Sequence, residues 1–127
     1  MSAFRAAQVI LFTDDLPRAA AFYLRLGFTE TFRVPADGEP VHVDFVLNGY
    51  KLGIATAAAA AEDHGLAPIA EGQRVAVILW TDDTASAYAE LVASGTPALS
   101  APHMFLGRVI AWTADPDGNP IQIVEAP

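Results

Sequence analysis

The sequence contains no cysteine, only 7 basic residues against 15 acidic ones, and no long uninterrupted apolar run. Without cysteine, a disulfide scaffold, a cysteine-based zinc site and a thiol nucleophile are excluded. The shortage of lysine and arginine leaves a formal net charge of −8. Such a field opposes nucleic acid and anionic membrane surfaces and favours cationic ligands. A membrane-spanning helix needs about 18 or more apolar residues, and the alanine-rich stretch from Ala55 to Ala61 is far too short. Residues Met1 to Val9 hold one arginine and lack the apolar run and small-residue cleavage site of a signal peptide. A cytoplasmic protein is therefore expected, with no nucleic-acid or membrane partner. What is present is apolar: 53% of the 127 residues are hydrophobic. That is enough to bury a core and too much for a disordered chain.

An internal repeat organises the chain. Val9-Ile10-Leu11-Phe12-Thr13-Asp14-Asp15 recurs as Val77-Ile78-Leu79-Trp80-Thr81-Asp82-Asp83, with aromatic for aromatic as the single change. The offset of 68 also relates Ala19 to Ala87, Ala21 to Ala89 and Gly27 to Gly95. Two copies at so long a period indicate a duplicated supersecondary unit rather than a solenoid.

Each copy starts with an apolar run rich in β-branched and aromatic residues, which reads as a strand. Two aspartates follow, able to accept from the free amides of a helix start, with Pro17 inside the first turn. Leu16, Ala19, Ala20, Tyr23 and Leu26 form the apolar stripe of the first helix, and Ala85, Tyr88, Leu91 and Val92 that of the second. Gly27 and Gly95 supply left-handed ends. Three strands then follow in each copy. The first set is Thr29 to Val34, Val41 to Asn48 and Lys51 to Thr56, with Asn48-Gly49 as a hairpin signal. The second is Pro97 to Ser100, Arg108 to Thr113 and Pro120 to Glu125, with a turn at Asp115-Pro116-Asp117-Gly118-Asn119. Each half reads β-α-β-β-β. Residues 57–73 connect them as a surface segment of partial helical character. Neither half can cover both faces of its elements alone, so one shared core is expected.

Asp15-Leu16, Phe22-Tyr23, Leu26-Gly27-Phe28 and the later run from Asp115 to Ile121 make the chain resemble the glyoxalase / bleomycin-resistance / extradiol-dioxygenase superfamily, also called vicinal oxygen chelate proteins. The resemblance covers nearly the whole chain. It implies an α+β fold in which two tandem βαβββ modules form a cupped mixed sheet. A single domain over 1–127 is expected, with modules at about 5–56 and 74–127. The superfamily includes isomerases, lyases, dioxygenases and non-catalytic drug-binding proteins, so fold alone does not decide function. Its enzymes usually hold a metal on the first and fourth strand of each half. Counted from the motifs, those positions are Gln8, Gly53 (with Leu52 or Ile54 if the count slips by one), Ala76 and Gln122. A catalytic divalent site needs about three imidazole, carboxylate or thiolate ligands, and these positions offer two amides. The expectation is a protein without catalytic metal or other cofactor, nearest to bleomycin-resistance-like members. Its expected work is to bind and sequester a small cationic or aromatic, antibiotic-like molecule. The alternative is a glyoxalase-like lyase or isomerase with Asp44 or His103 as base. A third reading is a structural module with no ligand. The resemblance also implies a homodimer.

The remaining candidates divide between a ligand site and ordinary structure. Alternation places Gln8, Ile10 and Phe12 on one strand face and Gln122 on the corresponding one, which turns Glu125 outward. Phe12, Ile78, Trp80, Trp112, Gln8 and Gln122 form an apolar and aromatic lining with two amides, the composition of a small-molecule pocket. Phe12 and Ile10 could equally fill the core, whereas Trp80 and Trp112 suit the pocket better, since a buried indole wants a partner for its N–H. Asp44 either faces a cavity or lies exposed on an alternating strand. His42, His64 and His103 show no paired ligand spacing and suit surface or structural roles. His103-Met104-Phe105 reads as a segment between strands, covering a cavity mouth or packing in the core. Asp115-x-Asp117-x-Asn119 is a turn and not a calcium loop, because glycine falls at the wrong position. No residue is assigned a catalytic role outright.

Overall fold

The computed structural model describes residues 6–69, 72 and 75–125. The outermost residues of the expected modules and part of the connector lie outside that set. The architecture is α+β, with eight strands and three helices in the described residues. The chain divides into two compact units, residues 1–70 and 71–127. Each contains one four-stranded mixed sheet.

The first unit runs β1 (Val9–Thr13), α1 (Leu16–Arg25), β2 (Thr29–Val34), β3 (His42–Leu47), β4 (Tyr50–Thr56) and α2 (Ala57–His64). Its strand order is β1-β4-β3-β2, with β1 parallel to β4 and the other pairs antiparallel. Asp15 caps α1 by accepting from the Arg18 amide. At the other end Phe28 N donates to Tyr23 O across Gly27, whose φ is +106°. Leu16, Ala19, Phe22 and Tyr23 are the buried face of α1. The expected Ala20 and Leu26 are only half-buried, and Phe22 takes their place. Leu11, Val43, Phe45, Leu52 and Ile54 are also buried. The helical part of the connector is α2, capped by Thr56 and ending at Gly65 in a left-handed conformation.

The second unit runs β5 (Val77–Thr81), α3 (Thr84–Ala93), β6 (Ser100–Phe105), β7 (Arg108–Ala114) and β8 (Pro120–Glu125). Its order, β5-β8-β7-β6, repeats the first. Asp83 caps α3, and Thr96 N donates to Leu91 O across Gly95, each 68 residues after its counterpart. Thr84 alone on α3 is buried. Tyr88, Leu91 and Val92 are half-buried and Ala85 is exposed, so the expected stripe is shallower than its spacing implied. The Thr84 hydroxyl donates to Val109 O, and its amide donates to Glu125.

Two linked expectations are corrected here, the first being the strand placed over Pro97 to Ser100, which begins only at Ser100. His103-Met104-Phe105 is not a connection between strands but the second half of β6. Leu106 and Gly107 both have positive φ and make the hairpin turn to β7. A β-bulge between Ser100 and His103 lets the strand continue past Pro102. Asp115 behaves as expected: its carboxylate accepts from the amides of Asp117 and Asn119 and from the Asn119 side chain, closing the β7–β8 turn.

Candidate functional site

Residues in register on neighbouring strands share a face, so each sheet has one face carrying most of the buried residues named above and one that presents the candidate site residues. On the second face of the first unit, one row is Ile10, Gly53, Asp44 and Phe32. The next is Phe12, Ala55, His42 and Val34. The matching rows of the second unit are Ile78, Gln122, Trp112 and Ser100, then Trp80, Val124, Ile110 and His103. Phe105, opposite Arg108, continues this face. The register also removes the ambiguity at position 53, because Gly53 pairs with Ile10 as Gln122 pairs with Ile78.

The first face centres on one carboxylate. Gln8 Nε2 donates to Asp44 Oδ1 at 2.8 Å, and His42 Nε2 lies 2.7 Å from the same oxygen. The His42 and Asp44 side chains are 26% and 24% exposed, so both are partly open to a ligand. Gly53 makes this possible. A Cβ there would stand 3.0 Å from Asp44 Oδ1 and 3.2 Å from Gln8 Nε2, so both side chains would have to give by a few tenths of an ångström. Phe32 sits edge-on to His42 at 6.5 Å and is 55% exposed. The Glu30–Arg33 pair belongs to the other face, in register with Phe45 and Val43. There the Arg33 hydrogen bonds hold the Glu30 carboxyl below its ordinary value.

The second face is aromatic. Trp80 is 57% exposed, and the Arg108 guanidinium lies 5.4 Å above its ring. Trp112 and Gln122 are half-buried beside exposed Ile78. His103 is exposed and turned back on its own strand, with Nδ1 2.8 Å from Ala101 O.

Of the residues expected to bind a ligand, Gln8, Phe12 and Asp44 therefore share one face, and Ile78, Trp80, His103, Phe105, Trp112 and Gln122 share the other. Asp44 lies half-buried on the open face of the first sheet. His42 was missed. Its signal was present, since a histidine two residues from an aspartate on one strand shares its face. A separate cavity of about 300 Å³ lies by Asp14, Asp15, Glu39 and Thr56 and contains none of these residues.

The superfamily resemblance implies a divalent ion, and these residues do not fit one. Gly53 and Ala76 have no donor atom, and Gln8 and Gln122 are neutral amides. The carboxylate nearest to Gln8 already takes two hydrogen bonds on one oxygen. Among the described residues no three His, Cys, Asp or Glu side chains gather as a metal site.

Comparison with known proteins places these observations in a lineage. No curated protein sequence matches the chain. Among solved structures, a glyoxalase/bleomycin resistance protein/dioxygenase from Nocardioides is 25% identical, over 98% of this chain and 85% of that one, with a TM-score of 0.81. A glyoxalase-related enzyme from Fulvimarina pelagi is 26% identical, over 97% and 88%, with a TM-score of 0.80. Lactoylglutathione lyase from Agrobacterium tumefaciens, 19% identical over 98% and 96% at a TM-score of 0.72, shares the fold alone. The family model for the Glyoxalase/Bleomycin resistance protein/Dioxygenase superfamily matches residues 5–123. From the first strand to the middle of the last, the chain belongs to that superfamily.

Proposed function

We propose that this protein binds a small aromatic or cationic molecule on its open sheet faces and holds it without a catalytic metal. The observation that carries this reading is Trp80, an indole more than half exposed on a sheet face that also presents Ile78, Trp112 and Gln122. Aromatic area provides affinity in such a site, and a few amides orient the guest. A guanidinium already rests on the Trp80 ring, which supports a preference for planar cations. The net charge of −8 would raise the local concentration of such a guest. We further propose a homodimer acting in the cytoplasm. No described helix is long and apolar enough to cross a membrane.

A thermal-shift screen over glycopeptide, quinone and acyl-CoA compounds tests the reading. A ligand at about 100 times its dissociation constant stabilises by about 2.7 kcal/mol. A shift with no cationic compound would remove the charge argument, and a stoichiometric divalent ion surviving dialysis would overturn metal independence. Light scattering on the purified protein reads the subunit number.

A further inference from the structure

We propose that His42 is a proton-accepting base that works without a metal, with Asp44 and Gln8 as its positioning residues. An amide nitrogen can only donate, so Asp44 Oδ1 is an acceptor toward Gln8 Nε2. A carboxylate oxygen has nothing to donate in return, so at 2.7 Å the hydrogen of the second bond lies on His42 Nε2. That bond sets the tautomer: in the neutral ring the lone pair is on Nδ1. Among the described residues Nδ1 has no hydrogen-bond partner. Phe12, Ala55 and Val34 share its row and Phe32 stands beside it, so the base opens onto apolar ground. The matching positions of the second unit, Ala76, Ile110 and Trp112, hold no titratable group. The device belongs to the first unit alone.

This inference rests on the reading that the open face accepts a small ligand, and it makes that ligand a reactant. The fitting class is a small apolar or aromatic compound with an acidic C–H beside a carbonyl or comparable electron sink. His42 Nδ1 takes the proton, and the C–H electron pair remains on the substrate as an enolate. Asp44 stabilises the imidazolium that forms. Delivery of that proton to a different carbon of the enolate system completes an isomerisation, and reprotonation of the same carbon on its opposite face completes an epimerisation, with no oxidant or reductant consumed.

The probe is 5-nitrobenzisoxazole, in which loss of the ring C–H proton to a base breaks the N–O bond and releases a coloured cyanophenolate. The wild-type protein at pH 8 should turn it over at least about tenfold faster than His42→Gln, within the usual range for a positioned base. Asp44→Ala should lose most of that rate although His42 remains, and His64→Gln, at the exposed end of α2, should lose none. Nitrogen-15 spectra of the wild type should show one His42 tautomer with its hydrogen on Nε2, and Asp44→Ala a mixture of both. Equal rates in the wild type and His42→Gln, loss of rate in His64→Gln instead, or a hydrogen on Nδ1 each overturn the assignment. Binding is read apart from chemistry with the 3-methyl analogue, which has no proton to lose. A thermal shift with it but no rate difference refutes the base alone. A rate difference without a shift supports the base and counts against the ligand reading.

Discussion

The two units repeat one backbone and differ in what they place on it. On the helix side, Phe45 is fully buried in the first unit, and 68 residues later Thr113 fills the equivalent register position. Leu16 opens α1 and Thr84 opens α3, both buried. On the open side, Asp44 and His42 become Trp112 and Ile110, while Gly53 becomes Gln122. Polarity has moved from one face to the other between the copies. The first unit has the heavier apolar core and the charged face. The second buries hydroxyls and presents indoles. One βαβββ frame tolerates both because its turns and caps sit at chain ends of the sheet, away from either face.

The contrast is broken most severely from inside. Phe45→Ala should cost about 3–5 kcal/mol, the usual loss for an aromatic ring from a tight interior, whereas Thr113→Val should cost about 1–3 kcal/mol. The latter strands the Pro97 carbonyl, which the Thr113 hydroxyl now reaches at 2.6 Å. Denaturant midpoints of the two variants measure the difference. A larger loss at Thr113 would refute the view that the first unit's core is the heavier.

Next comes the exchange at the fourth strand. Gly53→Ala should destabilise by about 1–3 kcal/mol, because the added carbon meets Asp44, Gln8 and Ile10 at 3.0–3.2 Å. Elsewhere in a strand the same change would be expected to stabilise. A rise in melting temperature would show that the Gln8–Asp44–His42 cluster yields without cost.

The indole face predicts an effect on binding rather than on folding. Trp80→Ala should move stability by no more than about 0.5 kcal/mol, since the side chain is mainly in water. Affinity for a guest found by thermal shift should fall about tenfold or more, a loss of about 1.4 kcal/mol. If Phe12→Ala, at the same register position of the first unit, abolishes binding while Trp80→Ala does not, the guest belongs on the charged face.

The repeat was legible because it lies in residues whose backbone role is narrow. Asp15 and Asp83 cap, Gly27 and Gly95 turn left-handed, and the strands between carry β-branched residues. Asn48-Gly49 announced its hairpin, with φ of 48° and 86°. The turn at Leu106-Gly107 has the same signs of φ, but leucine is a poor advertisement for a left-handed position, and a proline such as Pro102 is an unfavourable residue inside a strand. Hence the local sequence points to a connection at His103 to Phe105 where the backbone makes a strand. The four superfamily ligand positions could be counted from the motifs, and strand register makes two of them, Gly53 and Gln122, equivalent in the two units. The partnership of His42 with Asp44 was not drawn out, because alternation says which face a residue takes and not which side chains meet there.

The smallest expected effect separates two caps that are otherwise alike. Asp15 faces Arg18, whose Nε is 3.9 Å from Oδ2 across an exposed pair of little energetic weight. Asp83 faces Ser86 at the same register position, and both the amide and the hydroxyl of Ser86 donate to it, at 3.0 and 2.9 Å. Those bonds hold the Asp83 carboxyl below its ordinary value of 3.8. As pH falls, the unfolded chain takes up this proton before the folded one does. The stabilisation is therefore whole above the ordinary value and drains away as pH drops through the depressed one. In melting curves at descending pH, the margin of the wild type over Asp83→Asn should be constant at neutral pH and close below the ordinary carboxyl value. Ser86→Ala removes the hydroxyl bond and should move that closure to higher pH. A closure at the same pH in Ser86→Ala would assign the effect to the backbone amide of residue 86, and the second unit's cap would then owe nothing to the serine hydroxyl.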